Sequence, residues 1–444
     1  MSHNPITQLT QQLFDFFTIA GDDIIEWPCK RFQRCGDLVR YNSDNLGIQG
    51  DISIAADGKN WFKYCNNRGL ILRSESDALL LDESAIAELV KQAENWLFPL
   101  AKQPELRKDR YTLRLQRRPL IAYVINAVLK TGEHERYGEQ CKHDKSPTLC
   151  LELVNGGNEN ELRHYRTRQL HDIIRRLLVY SKWRVVAPKD KNVNTLCVHV
   201  QSACQTNLMP QSRRPLDVRV LSGVVLEPHK KSATTMTTSN YLALRSNDML
   251  LMAMHRHGLR DCTKDRNYDE LLQRLGAAAV IVDLFEVRHS SPATVVRSGL
   301  GCSKGAPYML YNSARLETLL RTFNEKVEAG VYDPLPPFDQ IDFSALEEEL
   351  DWQLIYGYLL TFPELIEASL DQLKQGQCAV HLIVRYIFSL TSLFSRYYRH
   401  KQILVQQRPH LMYILYARIY LIKAVRQVLN DALALLGILP VDYM

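Results

Sequence analysis

Four basic or potentially basic side chains, Arg163, His164, Arg166 and Arg168, stand just ahead of an apolar stripe at Leu170, Ile173, Ile174, Leu177 and Leu178. The i, i+3, i+4, i+7, i+8 spacing predicts a helix with one buried face. The start of a helix already favours anions through its free N–H groups and dipole, so cations placed there suit a phosphate. A second group, Arg396, Tyr397, Tyr398, Arg399 and Lys401 in SRYYRHK, mixes cations with aromatic rings. That combination holds single-stranded nucleic acid by neutralising phosphates and stacking on bases, although at least one of the tyrosines is expected in a helical core. A third group, His134, Cys141, His143 and Cys150, has ligand types that suit zinc. Its spacing matches no common site, so it reads as a loop with incidental His and Cys, and no metal or cofactor is expected.

The elements that must position these residues fall in three stretches. At 444 residues, 46% hydrophobic and 23% charged, the chain has the length of about three ordinary domains and a globular composition. Its ten cysteines form no CxxC pair, which argues against a disulfide framework or a zinc ribbon. The first residues, MSHNPITQLTQQLFDFF, have neither a basic leader nor a long apolar run, so the cytosol is the expected compartment. Residues 1–104 mix strand-like runs such as LGIQGDISIAA with helical patterns such as ESAIAELVKQAENWLFPLA and read as a small α+β domain. Residues 105–306 open with a basic segment and the apolar helix PLIAYVINAVL. Strands (TLCLELV, LCVHVQSA, DVRVLSGVVLE, AAVIVDLFEV) then alternate with helices, as expected of an α/β domain with a parallel, Rossmann-type sheet. Residues 307–444 carry only helical patterns and read as an all-α bundle.

Charge is uneven along the bundle. Residues 307–371 hold 3 Lys/Arg against 13 Asp/Glu, and residues 372–444 hold 9 against 2. The second stretch suits a polyanion, whereas the first repels one. Its last helix carries a buried stripe from Val425 to Leu436, stops at Gly437 and is followed by Pro440. Arg418, Lys423 and Arg426 interrupt the apolar run and argue against a membrane span.

Four blocks of this bundle resemble the DALR anticodon-binding domain that ends arginyl-tRNA synthetases. PYMLYNSARLETLLR is similar to the opening Tyr-x-x-Tyr-x-x-Ala-Arg helix, with Tyr308, Tyr311, Ala314 and Arg315 in register. LLTFPELIEASL and SLFSRYYRHKQIL follow in order, and LYARIYLIKAVRQVLNDALALLGILPVDYM resembles the terminal helix, including Arg418, LLGI and the final Met444. Tyr443 stands where the family usually has arginine. The resemblance extends upstream. The family's helix after the first nucleotide-binding strand begins His-x-Gly-His-Leu-Arg-Ser-Thr, and HYRTRQLHDIIRRLL is similar to it. His164 takes the second histidine, Arg166 the arginine, Thr167 the serine, Asp172 the aspartate and Arg176 a second arginine. Glu161 stands for the first histidine and Arg163 for the glycine. The Lys-Met-Ser-Lys-Ser signature corresponds to TMTTS, with Thr235 and Thr238 for its lysines.

That resemblance implies a class I synthetase-like α/β body, a DALR bundle and a pseudoenzyme. Arginine at the glycine position fills the space an adenine needs, and loss of the histidine and both lysines removes charge stabilisation from the departing pyrophosphate. The degraded signatures fit a non-catalytic animal group of synthetase-like proteins. That group implies an adaptor that recognises arginine tRNAs and presents them to a methyltransferase forming 3-methylcytidine in the anticodon loop. The alternative is a divergent arginyl-tRNA synthetase with ligase activity. The expected tRNA contacts are Arg396, Tyr397, Tyr398, Arg399, Lys401, Arg315, Arg418, Arg426, Tyr443 and Met444 on the bundle, with Arg166 and Arg168 on the body. Residues 1–104 are a candidate for contact with the tRNA elbow. Deleting residues 441–444 is expected to change stability little and to reduce discrimination among tRNAs.

Overall fold

A computed structural model describes residues 4–19, 38–66, 71–73, 81–130, 136–142, 146–154, 160–203, 216–228, 232–257, 266–296 and 305–442. His134, His143, Tyr443 and Met444 lie outside the described residues. The chain forms two compact units, one of Met1–Gly138, Val327–Leu365 and Tyr397–Val425, the other of Glu139–Lys326, Ile366–Arg396 and Arg426–Met444. The expected boundaries at 104/105 and 306/307 fall inside the first and second unit respectively.

The first unit holds an antiparallel sheet of β1 (Val39–Tyr41), β2 (Ile52–Ala55), β3 (Glu105–Arg107) and β4 (Arg110–Leu113), in the order β1-β2-β4-β3. Helix α1 (Pro5–Phe17) starts at Asn4, whose side chain accepts from the backbone N–H groups of Ile6 and Thr7, and Pro5 sits where a missing N–H costs nothing. Its Phe14 and Phe17 rings pack at 5.4 and 4.9 Å from Trp61. LGIQGDISIAA is only half strand. Leu46–Gln49 form a short helix, and Gly50 turns the chain at φ +71, where a Cβ would collide with Thr112. The helix read over 83–101 ends at Ala93, short of Pro99. Helix α2 (Arg117–Leu129) follows, as its apolar pattern predicts. Buried Asp51 accepts from Leu115 N (2.7 Å) and from Trp352 Nε1 (2.6 Å) on the helix Glu349–Leu354.

The second unit is built on the parallel strands β5 (Thr148–Leu153), β6 (Arg184–Val185), β7 (Leu196–Ser202) and β8 (Asp217–Ser222), in the order β8-β7-β5-β6. Helix α3 (Leu162–Tyr180) follows β5, and all five residues of its predicted stripe are completely buried. Two short parallel strands, β9 (Val225–Leu226) and β10 (Ala293–Thr294), flank helices α4 (Thr238–His257) and α5 (Arg266–Phe285). AAVIVDLFEV, expected as a strand, lies largely in α5. Leu275, Ala278, Ala279, Val280, Ile281, Val282, Leu284 and Phe285 are all buried, so this helix shows the unbroken apolar run of a buried strand. At Gly276 a Cβ would lie 2.7 Å from Ser246 N, so α4 and α5 approach closely. Buried Arg245 ties them together, with Nη1 2.8 Å from Asp248 and Nε 3.0 Å from Asp283.

Three long helices complete the C-terminal third: α6 (Ala306–Glu328), α7 (Val380–His400) and α8 (Pro409–Leu436). No helix among the described residues is long and apolar enough to cross a membrane. At the end of α8, Gly437 adopts φ +76. Gly437 N donates to Ala434 O (2.9 Å) and Ile438 N to Leu433 O (3.0 Å), the paired bonds of a Schellman stop. The tail beyond it is docked. Ile438 and Val441 are buried, the Arg176 guanidinium lies against Gly437, and Arg274 Nη2 donates to Pro440 O at 2.6 Å. This corrects the expectation that residues 441–444 are dispensable for stability, because Val441 belongs to the core although it lies outside the helical stripe. Deleting 441–444 is expected to lower unfolding free energy by roughly 1.5–3 kcal/mol, the value of burying one such side chain. Urea unfolding of the truncated and full chains measures it, and coincident curves would contradict the docked tail.

Candidate nucleic-acid interface

Strand β5 has β6 on one side and β7 on the other, so successive crossovers diverge beside it, the place where open parallel sheets gather ligands at the carboxyl ends of their strands. Helix α3 begins here. Glu161 occupies its N-cap position in extended geometry, without capping the helix through its side chain. Its carboxylate instead pairs with the Arg163 guanidinium and lies 4.0 Å from His164 Nε2. The segment around Thr235 and Thr238 reaches the same point: Glu161 and Thr237 form an antiparallel bridge, and Thr238 N donates to Asn160 O at 2.8 Å. The two stretches singled out in the sequence therefore meet. Thr235 is exposed, and Thr238 is half-buried at the first turn of α4. Burial, reinforced by Arg163, lowers the His164 pKa and favours a neutral ring.

Arg166 requires a correction. It is fully buried, and its Nη1 donates to the carbonyls of Gly223 (2.9 Å), Val224 (3.3 Å) and Ser291 (2.8 Å), its Nη2 to that of Arg288 (3.3 Å). Burial lowers its pKa to about 10, so it remains charged while serving as an internal brace. It is not a surface contact for RNA. Arg168, two residues on, faces outward.

On the bundle portion of the second unit, the Tyr308 and Phe388 rings lie 5.9 Å apart, and Phe388 is 40% exposed. Arg315 stacks 4.5 Å above Tyr311 and donates to its hydroxyl at 2.6 Å. Arg385 and Arg396 are exposed on α7, whereas Arg426 is held by Glu317 at 2.8 Å. Arg385 and Phe388 were not among the expected contacts. A signal for them exists in the sequence: residues 372–430 contain no Asp or Glu, so a cation in that stretch has no acid close to it along the chain.

In the first unit, Tyr397 is completely buried and interacts with buried Asp351, so it is a core residue and offers no stacking face. Lys401 is paired with Glu348 and Arg418 Nη1 donates to Gln402 O at 2.8 Å, so both are engaged internally. Tyr398, Arg399, His400, Arg408, His410 and Tyr413 are exposed. Of the expected set, then, Tyr398 and Arg399 are exposed here, and Arg396 and Arg168 in the second unit, whereas Arg315 is half-buried against Tyr311.

A parallel α/β body followed in the chain by long packed helices is the architecture of the arginyl-tRNA synthetase fold. The known proteins agree. Residues 309–444 match the family described as DALR anticodon binding domain. The chain is 30% identical over 266 residues to the DALR anticodon-binding domain-containing protein 3 of Danio rerio, an alignment that covers 56% of this chain and 47% of the relative. It spans about half the length of the curated relatives it matches. Among solved structures, the arginyl-tRNA synthetase of Plasmodium falciparum is similar with a TM-score of 0.64 at 12% identity, over 100% of both chains. That of Thermus thermophilus gives 0.61 at 11%, over 91% of this chain and 96% of its own. At such identities these two structures establish the fold alone.

Proposed function

We propose that the chain is a non-catalytic tRNA-binding adaptor: its DALR bundle engages the anticodon arm of arginine tRNAs and presents it to a partner methyltransferase that forms 3-methylcytidine. The observation that carries the tRNA reading is the exposed set of cations and rings (Arg385, Phe388, Arg396, Tyr398, Arg399) within the match to an anticodon-binding domain. The methyltransferase, and the choice of arginine tRNAs, follow from the resemblance described above. A cytosolic setting fits that role.

The absence of catalysis is argued from the start of α3. A class I synthetase needs open, positive space there for a triphosphate. Here the Glu161 carboxylate places a negative charge at the helix start and ties up Arg163, whose side chain occupies the glycine position. Backbone pairing to Thr237 and Thr238 closes the loop onto the same spot. With threonine at both lysine positions of the signature, Thr235 and Thr238 offer no positive charge to a departing pyrophosphate.

Two measurements test the proposal. A salt-titrated tRNA binding assay is expected to give affinity that falls steeply with ionic strength. ATP–pyrophosphate exchange with arginine is expected to stay at background, and the quadruple change Glu161→His, Arg163→Gly, Thr235→Lys, Thr238→Lys is expected not to restore it. Arginine-dependent exchange by the unaltered chain would establish the synthetase alternative, and salt-insensitive or absent tRNA binding would reject the adaptor.

A further inference from the structure

We infer that the α/β body of the second unit carries a separate RNA contact, specific for the sugar–phosphate backbone of a duplex, formed by Arg168, Arg175, Lys182, Arg184 and Lys189. The inference rests on the reading that the chain binds tRNA and adds a second surface to it. Arg168 and Arg175 are seven residues apart on α3, which places them on one helix face about 10 Å apart along the axis. Lys182 follows the last turn, Arg184 opens β6 at the edge of the sheet, and Lys189 sits in the 3-10 turn Pro188–Asp190. All five are exposed. From residue 162 to 189 the sequence holds eight Lys/Arg and one acid, Asp172. That acid faces His171 at 3.2 Å and reaches Arg175 only at 3.9 Å, leaving the Arg175 side chain 63% exposed. With Asp190 exposed next to Lys189, the five exposed cations still outnumber the exposed acid of this segment.

The kind of partner follows from what the strip lacks. The aromatic residues of this segment, Tyr165, Tyr180 and Trp183, are buried or half-buried, and Lys374 Nζ already lies 5.6 Å over the Trp183 ring. A surface of cations without an exposed ring offers unpaired bases no aromatic platform, but it can follow phosphates, which is how double-helical RNA is held. The bundle is the opposite case: Phe388 and Tyr398 are exposed beside arginines, the make-up of a single-strand site. One molecule of tRNA supplies both partners, an unpaired loop and stacked stems.

The test compares whole arginine tRNA with its isolated anticodon stem-loop, both binding the full chain, by fluorescence anisotropy at two salt concentrations. The variant is Arg175→Glu with Lys182→Glu and Arg184→Glu, three exposed positions whose exchange leaves the core untouched. Affinity for whole tRNA is expected to fall roughly tenfold or more and to become less salt-dependent, with affinity for the stem-loop unchanged. The neutral set Arg175→Gln, Lys182→Gln, Arg184→Gln is expected to show a smaller loss in the same direction. If the unaltered chain binds neither RNA, the tRNA reading falls and this inference with it. If it binds the stem-loop and the variant still binds whole tRNA normally, the strip alone is disproved. Loss of binding to phosphatidylserine vesicles with unchanged tRNA affinity would assign the strip to a membrane surface and overturn the inference equally.

Discussion

Exchange of Arg396 and Arg399 together for glutamate is expected to weaken tRNA binding roughly tenfold or more at moderate salt. Both side chains are exposed near the end of α7, in the stretch without acids from residue 372 to 430. Each exchange removes a positive charge and adds a negative one that repels phosphate. The slope of log K against log salt is expected to become shallower by roughly 0.7–0.9 for each phosphate that is no longer neutralised. Neighbouring substitutions separate charge from fold. Lys401→Glu would set two acids against each other at Glu348, so its effect should appear in stability before it appears in affinity. Tyr397→Ala would empty a buried site next to Asp351 and is expected to unfold the helix end instead of reporting on RNA. If the double exchange leaves tRNA affinity unchanged while the protein stays folded, Arg396 and Arg399 do not touch the RNA, and Arg385 with Phe388 becomes the candidate.

Arg166→Met is expected to lower unfolding free energy by roughly 3 kcal/mol or more, because orphaned buried polar groups cost about 1–3 kcal/mol each. The guanidinium has four carbonyl acceptors, supplied by Gly223, Val224, Arg288 and Ser291, and no carboxylate partner among its hydrogen bonds. It therefore joins α3 to the turn after β8 and to the segment before β10. Arg166→Lys keeps the charge but has a single nitrogen to offer several acceptors, so an intermediate loss is expected. Urea unfolding measures both. An unchanged midpoint for Arg166→Met would show that these carbonyls find other donors, and a selective loss of tRNA affinity without loss of stability would return Arg166 to the binding surface.

The comparison of Arg166 with Arg168 shows where sequence reading reached its limit. Both stand among the basic residues ahead of a well-marked apolar stripe, and the stripe from Leu170 to Leu178 is buried as its period requires. Periodicity reports which face of a helix is apolar, but it does not reveal that a charged residue one turn earlier is met by carbonyls more than fifty residues away. Similar long-range facts decide the other differences. AAVIVDLFEV is helix, and because it is buried on all sides its pattern lacks the amphipathic signal that separates helix from strand. Val441 joined the core because the chain turns at Gly437 and returns to Arg274. Lys401 and Arg418 are engaged by Glu348 and Gln402, partners that composition does not pair with them. What was legible was local or distinctive: the stripe of α3, the stripe and glycine stop of α8, the parallel sheet, and the order of the bundle blocks.

The central claim, that the chain binds arginine tRNAs through its bundle without charging them, is tested most directly by sequencing the RNA that co-purifies with the full chain from its native cells. Strong enrichment of arginine tRNAs over their share of total tRNA is expected, with the enrichment abolished when Arg396 and Arg399 are exchanged for glutamate. Recovered RNA with the composition of the bulk tRNA pool, or no recovered tRNA at all, would contradict it.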